Sequence, residues 1–446
     1  MSTNTAVTSS DKATRKKSLR RVLGSAAIGQ FVEWYDFVIY AYTASVIATL
    51  FFPTEDRVAS LLATFAVYAV GFIMRPLGGI ILGHFGDKVG RRSVLAAVIL
   101  LMGASTAAIG LLPTYEQIGV LAPILLVLCR LIQGASAGAE TAGSNSLVAE
   151  HSPRNRRGFF VSFTYAFANL PAVFAALLVL LLTNTMGDET YTSWGWRIPF
   201  LLGGVFALVG LYIRMKVDET PEFEATRKAN QVVKFPLVQA LREHPKQIFL
   251  AFALASLSGM GFYTLTGYFA TYLKETVGLS ANDALVSNSI ALVAAFVVMP
   301  IAGWASDKIG RRPMIIAGAA ASAVAAVPAY TLASSGSLIT AILGQTLLAV
   351  ALSIFFGPFG VAFLEIFPSR VRFSGGAFGY NAAYVLFGGT APFVGIWLVA
   401  VTGNVIAPAY YMAFMAIAVT IVAFQLPDGG TLPDEIDAAE RLKSTQ

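Results

Sequence analysis

The feature that most constrains this chain is a succession of twelve apolar segments, each long enough to cross a lipid bilayer. A helix needs roughly 20 apolar residues to span the hydrocarbon core. The segments fall at 22–52, 58–82, 93–113, 118–141, 158–183, 197–215, 247–274, 283–304, 313–333, 338–364, 374–402 and 408–426. Inside hydrocarbon the backbone must satisfy its own hydrogen bonds, so each segment is expected to be a helix. The first is long enough to tilt or to end in an interfacial turn. Hydrophobic residues make up 56% of the chain before its 40 glycines are counted, whereas a soluble domain reaches about 45–50% with glycine included. The expected fold class is an all-α integral membrane protein with twelve transmembrane helices.

Charge gives the topology. Of the 31 Lys and Arg residues, 26 fall on one side of the predicted membrane, and such an excess marks the cytoplasm. Both termini are therefore expected inside. Only Arg57, Arg197 and Lys274 fall outside or at the outer interface, while Arg75 and Arg130 lie within helices. The net charge of +6 could suggest nucleic acid, but these charges sit at the ends of apolar segments, so no nucleic-acid partner is expected. The single cysteine, Cys129, excludes an internal disulfide and a cysteine-based metal cluster. His84, His151 and His244 have no metal-ligand spacing, so neither a metal nor a cofactor is expected. The N-terminal polar stretch lacks a clear cleavage site, and the first helix is read as retained.

One long polar connection, 216–246, separates six segments from six. The expected organisation is an N-terminal bundle with its tail over 1–215, a cytoplasmic linker over 216–246, a C-terminal bundle over 247–426 and a tail over 427–446. The halves repeat each other. Gly83-His-Phe-Gly-Asp87-Lys-Val-Gly90-Arg91-Arg92 follows helix 2, and Gly303-Trp-Ala-Ser-Asp307-Lys-Ile-Gly310-Arg311-Arg312 follows helix 8, 220 residues later. A weaker pair begins at Glu150 and Glu365, 215 residues apart. Two motifs at nearly one offset imply a duplicated six-helix unit in parallel orientation, with a substrate site near the midplane. The motif suits a gate: glycine permits a tight approach, Asp caps a helix N-terminus and Arg holds carboxylates. Gly83, Asp87, Arg91, Arg92, Gly303, Asp307, Arg311 and Arg312 are the candidate gating residues.

This doubled motif resembles the signature of the major facilitator superfamily. Glu33-Trp34-Tyr35-Asp36-Phe37, Arg75-Pro76-Leu77-Gly78-Gly79, Arg130-Leu-Ile-Gln133-Gly134 and Gly138-Ala-Glu140 narrow the likeness to its metabolite:proton symporter family. Trp196-Arg197-Ile198-Pro199-Phe200 and Phe387 to Pro392 extend it along nearly the whole chain. One departure is visible: Gly138-Ala139-Glu140-Thr141-Ala142 stands where the family often has Gly-Gly-Glu, an aromatic and Gly. The resemblance implies a multi-pass protein of the bacterial inner membrane that carries organic carboxylates or zwitterionic osmolytes together with protons.

Charge within the membrane is costly and marks function. Glu33 and Asp36 are spaced i,i+3 and so share one side of helix 1, extended by Tyr40. Two carboxylates so close resist simultaneous ionisation. The expected cycle pairs Asp36, or Glu33, with Arg130 when deprotonated, and protonation frees the arginine for a substrate carboxylate. Pro76 and Gly78-Gly79 place Arg75 toward the cytoplasmic end of helix 2. Substrate-binding candidates are Tyr40, Arg75, Arg130, Gln133, Tyr165, Asn169, Tyr263, Asn288, Asn381 and Tyr384, with proton coupling assigned to Glu33, Asp36 and Arg130. Tyr268, Tyr272, Gln345 and Tyr380 add polar or aromatic groups in the second half. Gly134 and Gly138 suit close helix packing. Kinks are expected at Asn169-Leu170-Pro171 and Gly357-Pro358.

No metal-ligand helix motif, nucleophile elbow or phosphate loop suggests an enzyme. The expected function is proton-coupled uptake of a small di- or tricarboxylate by a monomer in the lipid bilayer. A short C-terminal tail without heptads favours that cargo over the alternative, a proline or betaine symporter; an uncoupled facilitator is the remaining alternative.

Overall fold

The computed structural model describes residues 31–89, 91–137, 152–215, 241–367, 376 and 378–427. The two tails, most of the linker, Gly138 and Glu140 lie outside the described residues, as do the side chains of Asp87, Arg91 and Arg92.

Twelve spans carry the fold, and among the described residues there is no strand. Helix α1 joins Phe31–Tyr42 to Ala44–Phe51 across a 61° bend. It is followed by α2 (Arg57–Val89), α3 (Arg91–Leu111) and α4 (Leu121–Ala137). Helix α5 spans Arg157–Met186, and α6 covers Arg197–Met215. The second half begins with α7 (Pro245–Thr276) and continues through α8 (Ala281–Ile309), α9 (Arg311–Ala333) and α10 (Leu338–Glu365). It closes with α11 (Phe378–Thr402) and α12 (Ala407–Ala423). Apolar side chains such as Leu177, Val324 and Phe414 face outward, as hydrocarbon requires.

The bends have local causes. At the α1 break the Thr43 hydroxyl donates back to the Ile39 carbonyl, 2.7 Å away, and lies 3.2 Å from that of Tyr40. Such back-bonding competes with the helical ladder and bends it. Helix α5 breaks between Phe167 and Leu170, where Asn169 donates to the carbonyls of Tyr165 and Ala166. By contrast α10 runs unbroken through Pro358, and α2 through Pro76. Helix α7 contains two π-type turns, Thr264–Tyr268 and Tyr272–Thr276, and α11 contains another, Tyr384–Gly388. Turns of this kind loosen a helix and often sit at functional sites.

Small residues let the helices approach. A Cβ on Gly134 of α4 would collide with the Gly71 carbonyl of α2, so these two backbones touch. Arg197, at the start of α6, donates to the Gly110 and Leu112 carbonyls at 2.9 and 2.7 Å. It thereby satisfies acceptors left open at the end of α3.

Candidate functional site

The arginines of α2 and α4 are both sealed inside the protein. Arg75 and Arg130 are 1% and 0% exposed, so each must find compensation in its surroundings. Arg75 Nη2 donates to Glu33 Oε1 at 2.6 Å. Its guanidinium also lies 5.1–5.6 Å from the ring centroids of Phe37, Phe72 and Trp34. Arg130 is held differently. Its guanidinium stacks 4.4 Å over Tyr40, 5.0 Å over Tyr68 and 5.2 Å over Phe37, and Nη1 donates to Gln133 Oε1 at 2.9 Å. Buried cation–π contacts of this kind contribute about 2 kcal/mol or more.

The expected pairing of a helix 1 carboxylate with Arg130 is not made in this geometry. Glu33 pairs with Arg75, and neither oxygen of Asp36 accepts a hydrogen bond. Residues i and i+3 differ by about 60° around a helix. That angle is enough to turn Glu33 toward α2 and Asp36 toward α3 and α6. The Asp36 carboxylate instead lies against Gly203 of α6 and beside the Thr106 hydroxyl of α3. Arg75 lies three residues before the end of the apolar span Arg57–Gly78, while the helix itself continues past Pro76 to Val89.

Both halves build the surroundings of Arg75. Trp34 of α1 packs on Phe262 and Tyr263 of α7, with centroids 4.6 and 5.9 Å apart. Tyr263 meets Phe72 edge-on at 4.8 Å, Tyr68 at 6.1 Å and Tyr384 of α11 at 6.1 Å. Tyr384 stacks on Tyr380 at 4.0 Å, and its hydroxyl lies 3.0 Å from Ser258 Oγ. The donors without a hydrogen-bond partner here include Tyr68 Oη, Tyr263 Oη, Arg75 Nε and Nη1, and Arg130 Nε and Nη2. All are N–H or O–H groups. Such a set suits one carboxylate, and the aromatic faces around it suit an ammonium group.

Several sequence candidates serve elsewhere. The Tyr40 hydroxyl donates to the Thr64 carbonyl at 3.0 Å, so Tyr40 offers its ring instead. Asn288 of α8 accepts from the Tyr42 hydroxyl and donates to the Leu265 carbonyl at 2.6 Å, tying α1, α7 and α8 together on the outer side. Asn169 is used by the α5 break, and Tyr165 packs edge-on against Phe359 at 5.6 Å. Asn381 is half-buried on α11. Ser287 donates to Gln345 at 2.8 Å within the second half. Sequence reasoning missed Trp34, Tyr68, Phe72, Phe262 and Thr106. Aromatic and hydroxyl residues are common in membrane helices, and only the packing sets these apart.

The halves are clasped at both faces. On the cytoplasmic side Asp307 of α8 accepts from the amides of Gly158 and Phe159, at 2.8 and 2.9 Å, at the start of α5. Arg311 braces that carboxylate at 2.7 Å and lies 3.6 Å from Glu365. Gly303 is required there, since a Cβ would meet the Gly158 carbonyl at 2.6 Å and the Ser162 side chain. Arg312 is half-buried, and Gly83 lies within α2. On the outer side Arg57 donates to Glu275 at 2.8 and 3.1 Å, and Asn282 donates to Asn184 at 2.7 Å.

Two six-helix halves, clasped at both faces around a buried ion pair, define a membrane carrier. A family model described as sugar (and other) transporter matches the chain twice, over residues 22–234 and 224–432. A glycine betaine/proline/ectoine/pipecolic acid transporter of Dickeya dadantii is 35% identical over 90% of this chain and 81% of its own length. A putative proline/betaine transporter of Staphylococcus aureus is 36% identical over 92% of this chain and 87% of its own. The proline/betaine transporter of Escherichia coli is 33% identical over 93% and 85%. Among solved structures, the proton:xylose symporter XylE of E. coli bound to 6-bromo-6-deoxy-D-glucose has a TM-score of 0.75 at 22% identity, covering 95% of this chain and 99% of its own. The chain belongs to the sugar (and other) transporter family and shares the fold of the xylose symporter, as a multi-pass protein of the bacterial inner membrane. These relatives overturn the expectation of a di- or tricarboxylate cargo, because those just described are named for proline and betaine.

Proposed function

We propose that this protein is a proton symporter that takes up a small zwitterionic osmolyte of the proline or betaine kind. The observation that carries this reading is the buried Glu33–Arg75 pair, 2.6 Å apart, set among rings from both halves. The pair is neutral as a unit. A di- or tricarboxylate would bring more negative charge into this buried site than its one further cation, Arg130, could offset. A zwitterion adds no net charge: its carboxylate meets Arg75 and the unfilled tyrosine hydroxyls, and its ammonium faces Glu33 and the aromatic faces. A quaternary ammonium donates no hydrogen bond, so Trp34, Phe262 and Tyr263 are what hold it. The relatives' names support the same cargo.

In this cycle Asp36 carries the proton. The bundles 1–215 and 247–426 rock about the shared site, joined by the linker 216–246, and the chain acts as a monomer that leaves its cargo chemically unchanged. The N-terminal gating motif, with Asp87, Arg91 and Arg92, acts at the cytoplasmic face as the Asp307 motif does. The experiment is uptake of labelled proline and betaine into proteoliposomes under an imposed pH gradient, beside citrate, 2-oxoglutarate and shikimate. Accumulation of a zwitterion that collapses when the gradient is dissipated supports the reading. Accumulation of a carboxylate alone, or zwitterion flux indifferent to the gradient, would sink it.

A further inference from the structure

Asp36 and Arg130 are both buried and do not touch, yet one chain of polar groups runs between them. Arg130 Nη1 donates to Gln133 Oε1 at 2.9 Å, and Gln133 Nε2 donates to Thr106 Oγ1 at 2.6 Å. The amide orientation follows from its neighbours. Arginine can only donate, so Gln133 must turn its oxygen toward Arg130 and its nitrogen toward Thr106. The Thr106 hydroxyl faces Asp36, but its one proton goes to the Met102 carbonyl, 2.9 Å away. The relay stops one bond short of the carboxylate, whose two oxygens accept nothing.

We propose that Thr106 is the positioning residue that connects the protonation of Asp36 to Arg130, by a rotation of its hydroxyl. This inference rests on the symporter reading above. With Asp36 protonated, the hydroxyl donates to the Met102 carbonyl, as observed. When Asp36 loses its proton, the hydroxyl turns about its Cβ–Oγ bond and donates to the carboxylate. Because the two groups are not within hydrogen-bond geometry in the observed state, Thr106 Oγ and the carboxylate also close on each other as the proton turns. All three hydrogen bonds then point one way, from guanidinium through amide and hydroxyl to carboxylate, and each polarises the next. Arg130 is thereby held to Gln133 and drawn from the substrate side. Protonation of Asp36 breaks the last bond and releases it. The only proton exchanged is that of Asp36; none passes along the chain.

The surroundings leave Thr106 as the route. Arg130 from α4, with Glu33 and Tyr35 on α1 itself, are the charged or titratable groups in the field of Asp36. Glu33 is committed to Arg75 of α2. Helix α6 presents Gly203, which has no side chain to offer, and α3 presents Thr106.

The test is Thr106→Val, which keeps the shape and removes the hydroxyl, beside Thr106→Ser, which restores it. Each is placed in proteoliposomes with labelled proline or betaine. Gradient-driven accumulation and exchange of labelled for unlabelled substrate are both measured from acid to alkaline external pH. In Thr106→Val, accumulation should fall about tenfold, the size expected for one hydrogen bond to a charge. Exchange should persist with a flattened pH profile, and Thr106→Ser should regain both features of the wild type. In the Asp36→Asn background, adding Thr106→Val should change nothing further, because the two act through one path. An unaltered pH profile in Thr106→Val, equal loss of exchange and accumulation that Ser does not rescue, or additive effects in the double variant would each overturn the proposal. Wild-type protein that moves neither substrate with protons would overturn the symporter reading, and this proposal with it. That result is read from the wild type alone and cannot be confused with the others.

Discussion

The carboxylate of Glu33 meets the guanidinium of Arg75 at 2.6 Å with both side chains sealed from solvent. Removing one partner of such a pair strands the other as a bare buried charge, which costs about 3–5 kcal/mol. Glu33→Gln is therefore expected to abolish zwitterion uptake and to lower the thermal midpoint of the purified protein. Arg75→Lys keeps the charge but loses the planar fork, and should raise KM at least tenfold. Uptake kinetics of the two variants, with thermal unfolding alongside, check this; wild-type KM in Arg75→Lys would remove Arg75 from the binding site.

The unfilled hydroxyls of Tyr68 and Tyr263 belong to rings from different halves, 6.1 Å apart. Tyr68→Phe and Tyr263→Phe keep the rings and delete the donors. Each should raise KM about tenfold for both proline and betaine, as expected for a lost hydrogen bond to a carboxylate. Trp34→Leu removes an aromatic face instead. It should weaken betaine more than proline, by an amount on the order of 0.5–2 kcal/mol. Competition between the two substrates measures the difference directly.

In the proposed symport the proton enters from outside as a co-substrate, so lowering external pH both loads the carrier and steepens the gradient. Uptake into vesicles at fixed internal pH is expected to rise as external pH falls. In Asp36→Asn that dependence should be lost and accumulation against a gradient abolished. A retained pH dependence would move the proton from Asp36 to Glu33.

At the cytoplasmic face Asp307 caps two amides of the opposite half while Gly303 lets α8 reach α5. Asp307→Asn weakens the charge-assisted bonds, and Gly303→Ala forces the backbones apart. Both should shift the population toward the inward-facing state. Cys129 is the single cysteine of the chain, so Cys129→Ser provides a background for one introduced cysteine near the inner end of α5. Its maleimide labelling should accelerate in either variant.

The outer clasp is expected to matter less. Arg57 is 41% exposed at its pair with Glu275, and exposed ion pairs contribute about 0–1 kcal/mol and are screened by salt. Arg57→Ala should speed labelling of an outer-face cysteine by no more than about fivefold, an effect that vanishes at high salt. A larger effect, persisting in salt, would make this pair a principal gate.

Spans, sidedness and the repeated motif whose second copy forms the Asp307 clasp were legible in the residues, because each obeys a one-dimensional rule. Bilayer thickness sets segment length, cytoplasmic cations set orientation, and a duplicated unit repeats its motif at one offset. The charges at membrane depth were legible too, since hydrocarbon makes every such residue conspicuous. Their partners were not. A 60° turn about α1 decides that Glu33 meets Arg75 while Asp36 turns to Thr106, and no spacing in the chain reveals which helix lies on each side. The same holds for the aromatic surround, assembled from α1, α2, α7 and α11. The cargo class followed that pattern: a sealed, already neutral ion pair favours a zwitterion, whereas the separate residues Glu33, Asp36, Arg75 and Arg130 had suggested a carboxylate seeking a free arginine. The sequence by itself determined how many helices cross, which way they face and which charges they carry. Which charge neutralises which was decided only by tertiary packing, because in a low-dielectric interior an interaction depends on distances of a few ångströms between helices far apart in the chain.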